Sequence, residues 1–186
     1  LSAEILRSYE WARQVGFNQI NIDLIAGMVK ETWKNWKSCI QQAIALDADS
    51  VTIYQMELPF NTVFSQHMKQ KGSASPVANW ETKRAWVNHA FKELEKVGYQ
   101  VSSAYTLTKK SNCNRFVYRD SLWHGADMIG TGVASFSHLG GVHFQNQDSF
   151  ESYLECLTKK KLPLNRAFKA TPRQLLIREM ILQMKL

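Results

Sequence analysis

The sequence predicts an α/β protein, with a parallel βαβ unit near the N-terminus followed by a mixed α+β region. Three observations carry this. Residues 20–25 (Ile-Asn-Ile-Asp-Leu-Ile) form an apolar run bounded by Gly16 and Gly27, the pattern of a buried strand. Residues 32–46 place Trp33, Trp36, Ile40, Ala43 and Ile44 on or near one helical face. Residues 50–56 are rich in β-formers. A strand, a helix and a strand in that order make a right-handed parallel crossover. With 186 residues, 45% hydrophobic and 21% charged, the chain is globular and long enough for a core.

The remaining elements follow in order. Residues 2–15 carry Ile5, Leu6, Tyr9, Ala12 and Val15 at helical spacing, and Gly16 ends the helix. Asp47, Ala48 and Asp49 make a turn. Residues 58–78 read as a long loop, with Pro59, Gly72 and Pro76, of the kind that often covers a site. Residues 80–97 form a third helix stopped by Gly98, 99–105 a strand, 109–114 a polar turn and 116–118 a short strand. Residues 122–146 hold five glycines and three of the five histidines, and such glycines admit close backbone or ligand approach. A helix over 148–158 has Asp148 as its expected N-cap. A last helix opens at Thr171 and Pro172 and runs to Leu186. The chain starts with Leu, so it reads as a fragment.

The net charge is +7, but Lys and Arg are scattered. The one tight cluster, Lys159, Lys160 and Lys161, suits a helix C-terminus, so neither nucleic acid nor a membrane is expected as a partner. Cys39, Cys113 and Cys156 are far apart and odd in number, which favours thiols in a reducing, cytoplasmic setting. His124, His138 and His143 match no zinc spacing, and no metal site is expected from them.

Asp23 is the chemically telling residue. A carboxylate within an apolar strand is costly to bury without a partner. At the C-terminal mouth of a parallel sheet that partner is often a ligand. Ile25, two residues on, faces the same side of the strand. Tyr54 and Gln55 alternate, so one of them faces the same space and the other does not.

Four segments carry a resemblance. Residues 16–27 (GFNQINIDLIAG) are similar to a G-F-x-x-I-N-x-D-L-I-x-G strand. Residues 50–56 with Thr62 and Phe64 are similar to an S-L-Y-Q-L strand and its P-G-T-x-F sequel. Residues 122–136 (LWHGADMIGTGVASF) are similar to Y-W-x-G-x-D-x-L-G-x-G-x-x-A/S. Gln145, Asn146 and Tyr153, then Lys161, Leu162 and Pro163, are similar to the N…Y…L-P stretch that follows. These motifs, in this order, resemble the C-terminal half of radical SAM proteins of the oxygen-independent coproporphyrinogen III oxidase type.

The resemblance implies that residues 1–57 are the last βα units of a partial (β/α) barrel and 58–186 a region covering the substrate. It implies S-adenosylmethionine (SAM) and a [4Fe–4S] cluster as cofactors and a small-molecule substrate, with tetrapyrroles as the candidate class. Asp23 and Ile25 would contact SAM, and Met56 and Phe136 would line a second cofactor or substrate space. Tyr54, Gln55, Trp123 and His124 are substrate-side candidates, and no residue here is a catalytic candidate.

The family's cluster motif, C-x-x-x-C-x-x-C, is absent, so the N-terminal barrel half or another chain would supply those ligands, and this chain alone would be inactive. The turn after the first strand is Gly27-Met28-Val29-Lys30-Glu31-Thr32 in place of G-L-P-G-Q-T. The H-N-x-x-Y-W motif of the heme-chaperone subgroup becomes Tyr118, Arg119 and Leu122 before Trp123, without its His. The implied function is therefore oxidase-like. A methyltransferase of the same branch or a non-catalytic heme or tetrapyrrole carrier is the alternative.

Overall fold

The computed structural model describes residues 3–58, 62–70, 77–110 and 116–185. The chain divides into two compact units, Leu1–Asn114 and Arg115–Leu186.

The first unit opens with α1 (Ala3–Val15), then β1 (Asn21–Ala26), α2 (Trp33–Leu46) and β2 (Ser50–Gln55). β1 and β2 are parallel, with Asp23 opposite Thr52 and Ile25 opposite Tyr54, so the βαβ expectation holds. Thr32 caps α2 by accepting a hydrogen bond from the Asn35 amide, and Asp47 ends it in the left-handed region at φ 54°. Then come α3 (Val63–Gln70), α4 (Trp80–Lys96), β3 (Tyr99–Val101) and β4 (Thr106–Lys109). The sheet order is β1-β2-β4-β3, with β4 antiparallel to both neighbours.

The core lies on one face of this sheet. Leu24, Ala26, Val51, Ile53, Tyr99 and Leu107 pack with Trp36, Ile40 and Ala43 of α2 and Trp86, Ala90 and Leu94 of α4. Each large apolar side chain so buried contributes about 1.5–3 kcal/mol. Trp36 stacks on Trp86 at 6.1 Å, and its indole N–H donates to the Trp86 carbonyl. The Tyr99 hydroxyl donates to the Ala48 carbonyl, closing the bottom of the sheet. Nearby, the buried Asp49 carboxylate accepts from the Ile20 amide and pairs with Arg13 of α1 at 2.8 Å.

Several expectations are corrected. The first strand is buried on one face only: Leu24 and Ala26 are covered, whereas Asn21, Asp23 and Ile25 are exposed, because α2 and α4 pack on the other side. The expected amphipathic helix over 2–15 buries none of its residues. Residues 99–105 are not one strand, since the chain reverses at Ser102–Tyr105 and returns as β4. The expected loop over 58–78 contains α3. The expected strand over 116–118 instead begins a helix. Residues 111–114 of the expected polar turn, Cys113 among them, lie outside the described residues.

The second unit contains α5 (Val117–Trp123), β5 (Phe136–Leu139), β6 (Val142–Asn146), α6 (Phe150–Thr158), β7 (Leu164–Lys169) and α7 (Pro172–Gln183). Its sheet is antiparallel, in the order β5-β6-β7, with Gly140 and Gly141 turning the β5–β6 hairpin. Ser149 and not Asp148 caps α6, since the Ser149 hydroxyl accepts from the Ser152 amide. Thr171 and Gln174 form a full capping box on α7.

The second unit is locked by polar groups. Its buried residues are Ser137, His138, Gln145 and Asn146, and none of its large apolar side chains is fully buried among the described residues. The Asn146 side-chain amide donates to the carbonyls of Gly130 and Gly132. The Gly132 amide donates to the Tyr153 hydroxyl, and the Gly130 amide to Ser137 Oγ. Gly130 has to be glycine here, because a Cβ would stand 2.3 Å from the Phe136 carbonyl oxygen.

Candidate ligand site

The second face of the first sheet is polar. Side chains two apart on a strand share a face. The register therefore groups Asn21, Asp23 and Ile25 of β1 with Ser50, Thr52 and Tyr54 of β2 and with Thr106 and Thr108 of β4. Ser50, Thr52, Thr106 and Thr108 of the two central strands are buried, whereas Asp23, Ile25 and Tyr54 are exposed. Tyr54 stacks on Tyr105 at 6.3 Å with an interplanar angle of 25°. A carboxylate, an aliphatic side chain and an aromatic ring thus share one face near the C-terminal ends of two parallel strands. Such ends are where open and closed α/β sheets bind ligands.

Asp23 takes a hydrogen bond of 2.6 Å from the Asn21 side-chain amide. Asn21 is in turn held by Ser50 and Thr52, whose hydroxyls donate to its Oδ1 at 2.8 and 3.1 Å.

The alternation at Tyr54 and Gln55 is settled: Tyr54 shares the face of Asp23, and Gln55 faces the helix-covered side, half-buried. Met56 is half-buried just past β2. Its amide donates to the Ala26 carbonyl, and its own carbonyl accepts from Lys83 Nζ at 2.8 Å. Lys83 is 3% exposed, and its ammonium lies 3.9 Å from the Trp80 ring centroid. Sequence reading passed over Lys83, although it lies on the α4 stripe with Trp86, Ala90 and Leu94. Across the turn after β1, the Gly27 and Met28 amides both donate to Glu31. Glu31 thereby closes the turn with its own carboxylate.

Phe136, Trp123 and His124 belong to the second unit. Phe136 is half-exposed on β5, stacked on His143 at 5.3 Å, with the Arg166 guanidinium 6.0 Å from its ring. It lines a hollow of about 350 Å³ with Phe144, Arg166 and Phe168. A second hollow of about 460 Å³, lined by Ile129, Leu139, Phe144, Leu157 and Leu162, is strongly apolar. Trp123 is half-buried at the end of α5, with Arg119 5.1 Å from its ring. His124 is exposed, and its Nδ1 meets the Asp120 carbonyl at 2.7 Å. His138 is buried beside His143, and burial, with Arg178 nearby, holds its pKa below the usual histidine value.

The described residues do not fit an iron–sulfur cluster. Cys39 and Cys156 lie on helices of different units, and no group of three or more His, Cys, Asp or Glu could hold a metal ion among the described residues. Burial pushes the Cys39 thiol pKa up, away from the thiolate that ligation requires. The face around Asp23 does fit part of an adenosyl ligand, with one acceptor carboxylate beside apolar and aromatic contact area.

No protein-family profile matches the chain. It is 23% identical over 183 residues to the heme chaperone HemW of Bacillus subtilis, covering 98% of this chain and 47% of that protein. It is 23% identical over 199 residues to an oxygen-independent coproporphyrinogen III oxidase of Synechocystis, covering 99% and 42%. The Escherichia coli enzyme of the same name is 24% identical over 181 residues, covering 91% and 39%. The solved coproporphyrinogen III oxidase of Escherichia coli, described as a radical SAM enzyme, superposes with a TM-score of 0.76 at 20% identity, over 95% of this chain and 42% of that one. This chain is similar to the coproporphyrinogen-oxidase-like radical SAM proteins. The resemblance read from the four sequence segments is borne out. The chain spans less than half the length of these relatives. No described helix is long and apolar enough to cross a membrane.

Proposed function

We propose that this chain forms part of a cytoplasmic radical SAM oxidoreductase of the oxygen-independent coproporphyrinogen III oxidase type, acting on a porphyrin precursor or a related tetrapyrrole. In this reading residues 1–57 are barrel wall and 58–186 cover the substrate. The observation that carries it is the shared face of Asp23, Ile25 and Tyr54 near the C-terminal ends of parallel β1 and β2. Asp23 would accept a hydrogen bond from SAM, and Ile25 would pack beside it. Met56 and Phe136 would line further cofactor or substrate space, with Tyr54, Trp123 and His124 toward the substrate, whereas Gln55, on the helix-covered side of β2, faces away from the Asp23 side. When bound, SAM would supply the hydrogen-abstracting chemistry, and this chain's own residues bind and orient it. The cluster ligands belong to the remainder of the barrel. The free edge of β1, unpaired on its outer side among the described residues, supports that reading, because another strand can extend the sheet there.

The test uses the complete polypeptide, reconstituted with its cluster and given SAM and coproporphyrinogen III. SAM-dependent loss of the porphyrinogen is expected, and its absence overturns the oxidase reading. A second reading, a tetrapyrrole carrier, is favoured by the heme chaperone relative, which covers 98% of this chain. A Soret shift on heme titration without SAM cleavage would support the carrier, and a methylated product the methyltransferase.

A further inference from the structure

We propose that Asn21 is a positioning residue for Asp23. It gathers hydrogen bonds from buried hydroxyls of β2 and passes one to the carboxylate, aiming the free Asp23 oxygen at a ligand donor. The inference rests on the reading of Asp23 as a SAM contact.

The geometry fixes the direction of every bond. Asn21 and Asp23 meet at 2.6 Å through Asn21 Nδ2 and Asp23 Oδ1. A flipped amide would set a carbonyl oxygen against a carboxylate oxygen at that distance, two acceptors with no proton between them. The amide nitrogen therefore faces Asp23, and Oδ1 faces β2. A carbonyl oxygen only accepts, so Ser50 and Thr52 both donate to it, at 2.8 and 3.1 Å. A hydroxyl has one proton, and that of Thr52 is committed to Asn21. The 3.1 Å contact between Thr52 Oγ1 and Thr106 Oγ1 then draws its proton from Thr106. The donor chain runs Thr106, Thr52, Asn21, Asp23, across β4, β2 and β1.

This chain begins in the interior and ends at the surface. Ser50, Thr52 and Thr106 are 0%, 6% and 4% exposed. Asp23 is exposed, and among the described residues its Oδ2 has no partner. Mere sheet stabilisation would not require the last bond to go to an exposed carboxylate. A carboxylate held in one rotamer loses less freedom when a ligand docks, an advantage on the order of threefold to tenfold in affinity.

A double-mutant cycle tests this on the complete reconstituted polypeptide. The SAM dissociation constant is measured by equilibrium dialysis for the parent, Asn21→Ala, Asp23→Ala and the double variant, with melting temperatures alongside. Asn21→Ala is expected to weaken SAM binding about threefold to tenfold when Asp23 is present, and not at all when Asp23 is Ala. The isosteric Thr52→Val, which keeps the strand's volume, should weaken SAM binding in the same direction and show the same dependence on Asp23. Equal weakening by Asn21→Ala in both backgrounds overturns the proposal. So does no weakening by Asn21→Ala where Asp23→Ala alone reduces affinity. If Asp23→Ala leaves affinity unchanged, the SAM reading of that residue fails and takes the proposal with it.

Discussion

The stem of Lys83 occupies the space that a side chain at Gly27 would need: a Cβ there would lie 2.7 Å from Lys83 Cγ and 2.8 Å from Cδ. Gly27 also sits at φ +91°, where L side chains are strained. Gly27→Ala should therefore destabilise the first unit by about 1–3 kcal/mol in urea denaturation. Combining it with Lys83→Ala should cost less than the sum of the two, because shortening the stem opens the space. Strict additivity would refute this account.

Tyr99 is buried with its hydroxyl donating to the Ala48 carbonyl. Tyr99→Phe should cost about 1 kcal/mol by removing that bond and orphaning a buried carbonyl. Burial, helped by Asp47, pushes the phenol up from 10.0 to about 12. A raised acid pKa keeps the folded state protonated while the unfolded chain ionises. Stability should thus fall as pH rises from about 10 to about 12, and Tyr99→Phe should flatten that slope. An unchanged slope in the variant would count against the assignment.

His138 gives the opposite sign. Burial first, then Arg178 and His143, lower its pKa below 6.5, with Asp127 opposing. The folded state then prefers neutral imidazole, and the unfolded chain takes up the proton first. Its contribution to stability is complete above 6.5 and is lost as pH falls from there toward the folded pKa. Thermal melts between pH 7 and 5 should show this loss, and His138→Gln should reduce it. A pH dependence indifferent to that substitution would contradict the prediction.

Gly130→Ala should be among the most damaging changes in the second unit, since the clash is with the Phe136 backbone and no side chain can swing away. A loss of about 2–4 kcal/mol is expected. Hydrogen exchange should show faster exchange of the β5 and β6 amides, with α4 unaffected. Retained protection at Ser137 and Gln145 would disprove the close approach.

Local periodicity makes the βαβ unit legible in the sequence, down to the shared face of Asp23 and Ile25. Exposure was not legible. A strand pattern reveals two faces but not which one receives the helices, and so Asp23 read as buried. Residues 99–105 continued a β-like composition through Ser102 and Ser103, where side-chain bonds reverse the chain, with the Tyr105 amide donating to Ser103 Oγ. The second sheet went unread because its strands are short and its glycines suggested a ligand loop. The Gly140–Gly141 pair was the available signal for the hairpin. Lys83 shows how charge misleads. A long stem can lie within the core while the ammonium finds a carbonyl and an indole ring at its edge.

The polar locking of the second unit has a calorimetric consequence. Leu162, Phe168, Ile177 and Met180 keep 79%, 53%, 46% and 60% of their surface exposed in the fold. Melting this unit uncovers less apolar surface than melting the first, and the heat capacity of unfolding scales with such surface. The larger share of the chain's heat-capacity step is therefore expected from the first unit, which holds the fully buried apolar core. The stability curve of the second unit should correspondingly be flatter in temperature than that of the first.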